Sequence, residues 1–405
     1  MKNKINYKIP EGKLKGKIPY GYHHVDQDDI NSVVNSLNKY SITQGNLAIE
    51  FGQKTADFTG AKHGLAVSSA TAGLHLAVCA LDLKKGDEVI TCPMSFCATS
   101  NAVLYQGGKV VFVDIDMETL NIDINQIEEK INDNTKAIIP IDFRGHPANL
   151  YEIKLLAKKY NLTVIEDASH SIGSSYEING TNFNCGDGNH ADMCIFSFHP
   201  VKHITTGEGG MILTNDSELF KKLTLLHKHG IDRRDEMFSE ELRRGAWFYE
   251  MENLGYNYRM NEMQAALGIS QLNKIDFFIK RRREIVKIYN SELSKIKNII
   301  IPPEDKNVNS NFHIYVIQIL ENNFFDRYDL FNHLLESDYA PMVHYIPIHL
   351  LKYYKKTFNY KPGDFPNCEK YYNRCISLPL FPSISDDEIY RVIKTIKDFV
   401  NNKLS

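Results

Sequence analysis

Between about residues 60 and 215 the chain alternates short apolar, β-branched runs with stretches of helical periodicity. The apolar runs fall at 64–69, 88–92, 109–114, 136–142, 163–167, 193–198 and 210–215. Helical candidates between them include 72–81, 124–131 and 150–160. Such runs read as strands buried on both faces, with the intervening helices as their cover. The pattern predicts an α/β fold around a mostly parallel, seven-stranded sheet. Ligands of such sheets gather at the carboxyl ends of the strands.

The pattern changes near Asn273. Residues 275–293 read as a long amphipathic helix with a basic centre, Lys280 to Arg283. An α+β pattern follows: a strand at 313–320, a helix at 327–336 and a short extended run at 341–345. Ser385 is placed to cap the last helix, and Asp386, Asp387 and Glu388 suit the positive end of its dipole. Ile389, Val392, Ile393, Ile396 and Val400 form its apolar face. These signals divide the chain into an N-terminal arm (1–18), a large domain (19–273) and a smaller C-terminal α+β domain with its connector helix (274–405).

Composition adds mainly exclusions. The 405 residues are 43% hydrophobic and 24% charged, as in ordinary globular proteins. A net charge of −3 gives no global field for nucleic acid or an anionic membrane. A phosphate-bearing ligand therefore needs local groups to hold it. The lysine-rich start lacks the apolar stretch of a signal peptide, and no run of eighteen apolar residues predicts a membrane span. Seven cysteines, without zinc-like spacing or a C-x-x-C pair, fit reduced thiols in a cytoplasmic protein.

Four segments carry candidate chemistry. In F-S-F-H-P-V-K-H-I-T-T-G-E-G-G, Lys202 stands between an apolar strand and a glycine-rich turn. A lysine amine is a nucleophile only when deprotonated, so its ordinary pKa of about 10.4 must be lowered, or the amine captured as a Schiff base with an aldehyde cofactor. A solvated loop lysine fits this segment equally well. In T-V-I-E-D-A-S-H, a strand delivers Glu166 and Asp167, with His170 three residues on. A carboxylate at a buried strand end needs a cation or several donors. A protonated ring nitrogen is one solution; a metal held by Asp167, His170 and His190 is another, though no H-x-H or H-E-x-x-H supports it.

The segment S-S-A-T-A-G-L-H-L-A follows a strand with small residues, so a helix can begin tightly and aim its first amides at an anion. It lacks the lysine of a P-loop, which disfavours an NTPase. Phe96, in P-M-S-F, suits either core packing or stacking on a flat ring. In N-L-G-Y-N-Y-R-M-N-E-M-Q-A-A-L-G, Asn257, Arg259 and Asn261 precede a helix rich in small residues. Capping explains part of that density. Ala265, Ala266 and Gly268 suit close packing, and we expect them at an interface.

Together, and in this order, the segments resemble the DegT/DnrJ/StrS family of pyridoxal-phosphate sugar aminotransferases, from about residue 19 to the C-terminus. The resemblance implies fold type I of the PLP-dependent transferases. It implies that Lys202 forms the Schiff base with pyridoxal 5′-phosphate and that Asp167 pairs with the pyridine nitrogen. His170, where many relatives carry glutamine, would lie by the ring, and Phe96 would stack on its other face. Ala70, Thr71 and Ser197 would hold the phosphate with Asn257 of the partner subunit, which implies a homodimer with shared sites.

The segments S-I-T-Q-G, S-S-A-T and D-A-S-H-S-I-G-S-S-Y look most like the pseudaminic-acid branch. Its members move an amino group from glutamate to C4 of a UDP-linked 4-keto-6-deoxy-N-acetylhexosamine. Thr43 and His344 resemble substrate-facing positions. The arm and the segment 235–251 are longer than that branch implies. Rival readings are transfer to a dTDP- or GDP-linked keto sugar, a PLP-dependent sugar dehydratase, whose members carry histidine in place of the lysine, and a remote metal-dependent hydrolase. No metal and no nucleic-acid partner is expected.

Overall fold

The structure is a computed structural model, and residues 17–39, 41–232 and 247–404 are described. Most of the arm and of the unusual 235–251 segment lie outside those residues.

All seven predicted runs enter one sheet: β1 (His63–Val67), β2 (Glu88–Thr91), β3 (Lys109–Phe112), β4 (Thr135–Ile138), β5 (Thr163–Asp167), β6 (Met193–Ser197) and β7 (Gly210–Thr214). Their order is β1-β7-β6-β5-β4-β2-β3. Strand β7 runs antiparallel to β1 and β6, and the remaining pairs are parallel. Every residue of β2, β6 and β7 is buried, as expected of strands covered on both faces. The runs overshoot the strands by one to four residues at several ends, where the chain keeps single backbone contacts to a neighbour, such as the Ile141–Asp167 bridge, without continuing the ladder. Residues 139–142 are the main example: they leave β4 toward the site.

Helix Ala70–Cys79 lies directly on the sheet. A side chain at Gly73 would press on Ile195 of β6, at 3.1 Å from Cβ. Helix Ile124–Ile127 is shorter than the 124–131 predicted and ends in a 3₁₀ turn at Glu128–Lys130.

The second core is built on a three-stranded sheet of Ile299–Ile300, Tyr315–Ile319 and Cys375–Leu378. Helices Ile275–Leu293, Arg327–Glu336 and Asp386–Leu404 cover it. The last helix begins as expected: Ser385 Oγ accepts from the Glu388 amide at 3.2 Å, and Glu388 Oε2 accepts from the Ser385 amide. Ile389, Val392, Ile393, Ile396 and Val400 are all buried. The extended run expected at 341–345 is not a strand. Tyr339–Ala340 pairs instead with Ile18–Pro19, and Met342 makes only an isolated bridge to Ser377.

The chain beyond residue 273 also returns to the large sheet. Val308–Asn309 adds a strand to the hairpin Ser175–Ile178 and Thr181–Asn184. Ile348 and Tyr354 pack in one core with Val89, and Cys368 and Tyr371 in another with Ile90. This return carries residues 342–346 to the carboxyl ends of the large sheet's strands.

The small-residue helix corrects one expectation. In Glu262–Leu272, Ala265, Ala266 and Gly268 are buried within this chain. A side chain at Gly268 would strike the Phe51 ring at 2.6 Å. Those three residues serve packing against helices Gln27–Leu37 and Leu47–Thr59 of the same chain. All seven cysteines are free. No described helix is long and apolar enough to cross a membrane.

Candidate active site

Strands β5 and β6 lie side by side with Asp167 opposite Ile195, so both end at the same edge of the sheet. A cavity of about 610 Å³ opens there. Its wall includes Ala70, Thr71, Phe96, Asp167, His170, Ser197, Lys202 and His344. Eight of the ten residues singled out in the sequence thus meet in one place.

Asp167 is 4% exposed. Thr99 donates its hydroxyl to Oδ2 at 2.6 Å, and Ser169 donates to Oδ1 at 2.6 Å. Neither donor is charged, and among the described residues no cation lies within ion-pair distance of this carboxylate. A buried carboxylate left with neutral donors is costly, and a cationic group in the cavity would complete it. Glu166 does not share this role. Strand alternation turns it to the other side, where it accepts from the Gly186 amide at 3.1 Å and lies beside Asp142 and Cys185. Burial and the Asp142 carboxylate push the Glu166 carboxyl well above its usual range.

Past β6 the chain makes a turn in which the Lys202 amide donates to the His199 carbonyl. Gly207, at φ +78°, helps it return as β7. The turn hangs the partly buried Lys202 into the cavity, with Nζ 3.5 Å from His313 Nε2. Burial lowers its amine to about 7, while the Asp167 carboxylate acts in the opposite direction. A large neutral fraction near pH 7 is the state a nucleophilic or basic lysine needs.

His170 is buried beneath these groups. Its Nε2 lies 3.2 Å from the Tyr345 hydroxyl, and its Nδ1 is buried without a hydrogen-bond partner. Burial first, and the Lys202 charge second, hold its pKa well below the ordinary value, so the ring is neutral. His344 is fixed by a 2.7 Å hydrogen bond between Nδ1 and Ser377 Oγ, and burial lowers it to about 3. Phe96, 61% exposed, presents its ring at the cavity wall.

Helix Ala70–Cys79 aims its N-terminus at the same cavity. Ser69 caps it, accepting from the Ala72 amide at 3.1 Å. The Gly73 amide is taken by the Ser69 carbonyl. The amides of Ala70 and Thr71 come before the first intrahelical donors, where an anion is favoured. Gly210 makes this turn feasible: a Cβ there would lie 2.6 Å from the Ala70 nitrogen. An anion cup, a buried carboxylate held by neutral donors, a lysine of lowered pKa and an exposed aromatic ring form a donor set that fits a phosphorylated, cationic, aldehyde-bearing ring.

Two expected residues do not join this wall. Thr43 is exposed and bridges Asn261, and Asn257 is exposed and bridges Lys228. The three residues of the metal alternative do not come together. His190 Nδ1 is bonded to the Tyr176 hydroxyl at 2.7 Å, and Asp167, His170 and His190 form no metal-like cluster among the described residues. Sequence reasoning missed Thr99, Ser169, Tyr345 and His313. Ser169, two residues beyond Asp167, was recoverable as a local side-chain motif. His313 and Thr99 carry no local signal of their role.

The DegT/DnrJ/EryC1/StrS aminotransferase family model matches residues 23–397. An uncharacterized protein of Methanocaldococcus jannaschii, MJ1066, is 41% identical over 93% of this chain and 96% of its own length. A UDP-4-amino-4,6-dideoxy-N-acetyl-beta-L-altrosamine transaminase of Campylobacter jejuni is 35% identical, over 94% of this chain and 98% of its own. The GDP-perosamine synthase of Escherichia coli O157:H7 is 34% identical over 89% and 92%. Among solved structures, Helicobacter pylori PseC, an aminotransferase of pseudoaminic acid biosynthesis, superposes with a TM-score of 0.86. It is 31% identical and covers 95% of this chain and 100% of its own. The architecture is fold type I of the PLP-dependent transferases, and pyridoxal 5′-phosphate is the cofactor that the donor set fits. The chain belongs to the DegT/DnrJ/EryC1/StrS family and is a sugar aminotransferase.

Proposed function

We propose that this enzyme transfers the amino group of glutamate to C4 of a UDP-linked 4-keto-6-deoxy-N-acetylhexosamine. The likeness of Ser41–Gly45 and Asp167–Tyr176 to the pseudaminic-acid branch supports that substrate, as does the 35% identity to the altrosamine transaminase. The observation that carries the chemistry is the buried Asp167, held by two neutral hydroxyls beside the lowered Lys202 amine. Bound in the cavity, the cofactor supplies an electron sink for bond breaking at the amino-donor Cα.

The protein's own groups do the rest. Asp167 would hold the cationic ring nitrogen, and Thr99 and Ser169 fix the carboxylate's orientation. Lys202 Nζ takes the Cα proton as base and returns a proton as acid. The Ala70 and Thr71 amides and the Ser197 hydroxyl would hold the phosphate, with Phe96 and His170 on the cavity wall beside the ring. Transfer to the sugar runs the same proton steps in reverse. Retention of lysine at 202 argues against the dehydratase reading. Seven free cysteines fit action in a reducing cytoplasm.

A second reading, a GDP-linked acceptor, draws support from the perosamine synthase likeness. Incubation with glutamate and UDP-, dTDP- and GDP-linked 4-keto-6-deoxy sugars separates the two. The fastest 2-oxoglutarate release is expected with the UDP-linked N-acetylhexosamine; faster turnover of a GDP- or dTDP-linked sugar overturns the assignment.

The site is completed in a homodimer, with Asn257 of the partner subunit reaching the phosphate. Its support is the exposed position of Asn257, outside the cavity wall of its own chain, near the exposed Trp247, Met251 and Leu254. Co-expressed, differently tagged Lys202→Ala and Asn257→Ala chains test this. One heterodimer site then collects both defects and the other is intact, so activity reappears above both parents. No recovery places Asn257 within its own chain's site.

A further inference from the structure

A second cavity, of about 180 Å³, lies where helix Ile275–Leu293 and residues 303–312 meet the turn at Phe143–Gly145. Its wall carries Arg144, Arg283 and Lys287, with Glu304 and Asp305. Arg144 is 1% exposed and sits at φ +58°, outside ordinary helical or strand backbone. Its Nη2 donates to the carbonyls of Pro303, at 3.2 Å, and Thr119, at 3.4 Å. Its Nε is buried with no hydrogen-bond partner.

Arg283 is likewise spent on carbonyls. Nε donates to Ser310 at 3.0 Å and Nη2 to Asn309 at 3.2 Å. Among the described residues, no carboxylate lies within ion-pair distance of Arg144, Arg283 or Lys287. The two acids on the wall are held by neutral donors, Glu304 Oε1 by Asn290 and Asp305 Oδ1 by the Asn307 amide, and Glu304 acts on Arg144 from beyond ion-pair distance, so the three cations outnumber the acids by one. Arg282 is also buried, with Nε and Nη2 unpartnered, but it does not line this cavity. Its Nη1 closes on the carbonyls of His313 and Leu380.

A buried guanidinium with no carboxylate at ion-pair distance carries a desolvation cost that an anion relieves. Burial lowers even Arg144, to about 10, although the Glu304 carboxylate acts in the opposite direction. Guanidinium groups also match carboxylate and phosphate oxygens geometrically. We propose that this cavity is a binding site for a small oxyanion, of the phosphate or carboxylate class, held by Arg144 and Arg283 with Lys287 at its mouth. The site is separate from the cofactor's phosphate cup. The Arg144 carbonyl accepts from the His313 amide at 3.0 Å, and the His313 ring faces Lys202, so the turn at the anion site is hydrogen-bonded to the backbone of a residue that faces the active site.

The test uses cofactor-loaded enzyme saturated with UDP, so that both anion-binding parts of the catalytic cavity are filled. Inorganic phosphate and succinate are titrated separately by calorimetry, against chloride at matched ionic strength. Saturable binding of one or both is expected, weakened at least about threefold in Arg283→Gln and in Lys287→Gln, with turnover in chloride unchanged in both variants. Preference for one anion assigns the class. Arg283→Gln removes two bonds to backbone carbonyls and the exposed Lys287→Gln removes none, so unchanged turnover in chloride and agreement of the two variants separate anion binding from misfolding. Absence of saturable binding up to roughly 10 mM, which is weaker than about −3 kcal/mol, overturns the site. Equal affinity in wild type and both variants overturns it too.

Discussion

Thr99 Oγ1 lies 2.6 Å from Asp167 Oδ2, and it is the group that sets the orientation of the buried carboxylate from outside its own strand. Hydrogen bonds to charged groups are worth about 1.5–3 kcal/mol, or roughly ten- to a hundredfold in rate if felt in the transition state. Thr99→Val keeps the shape and removes the donor. We expect kcat to fall within that range with the cofactor still bound, and Asp167→Asn to fall further. Near-wild-type kcat in Thr99→Val removes its orienting role.

Lys202→Ala should abolish turnover and the visible absorbance of the covalently held cofactor, with an unchanged circular dichroism spectrum. The mutated side chain lines a cavity and leaves the sheet intact. Normal absorbance and rate in this variant would end the assignment of Lys202.

The lowered Lys202 amine makes a pH prediction with a defined sign. Its folded value, about 7, lies below the ordinary lysine value of about 10.4. The folded state then binds fewer protons than the unfolded state between these values. The burial penalty is full below pH 7 and fades as pH rises toward 10.4, so stability from this group rises with pH across that window. In cofactor-free protein, Lys202→Met should therefore be more stable than wild type at pH 6.5, and the difference in Tm should shrink by pH 10. A difference independent of pH would show that the amine is not perturbed.

Gly210 is needed for close approach. A Cβ there would lie 2.6 Å from the Ala70 nitrogen and 2.7 Å from the Ser69 carbonyl oxygen, both backbone atoms that cannot move without opening the cup. Gly210→Ala should weaken cofactor affinity at least about tenfold, a cost of about 1.4 kcal/mol, read by fluorescence titration. Unchanged affinity would mean that the cup does not depend on this contact.

The cap of the final helix is a stability test remote from the site. Ser385→Ala removes the acceptor of the Glu388 amide and should cost about 1 kcal/mol in denaturant unfolding, with kcat unchanged. A loss of activity without a loss of stability would contradict the packing role of this helix.

The sequence by itself determined what repeats along the chain or sits within a few residues. Seven apolar runs became the seven strands of one sheet, and their carboxyl ends delivered Asp167, Ser197 and, one turn later, Lys202. Periodicity and capping are local, so the last helix was legible to its buried face. Tertiary structure decided the rest. Thr99 meets Asp167 across 68 positions, His313 meets Lys202 across 111, and Tyr345 meets His170 across 175. Such pairs depend on which elements the sheet order brings together, and no local period records that. Strand alternation separated Glu166 from Asp167, although the two are adjacent in sequence. Burial within the chain claimed Ala265, Ala266 and Gly268, because small residues allow close packing without saying which neighbour they will meet. The extended run at 341–345 was drawn into the cavity wall, where contacts with Ser377 and His170 replace strand pairing.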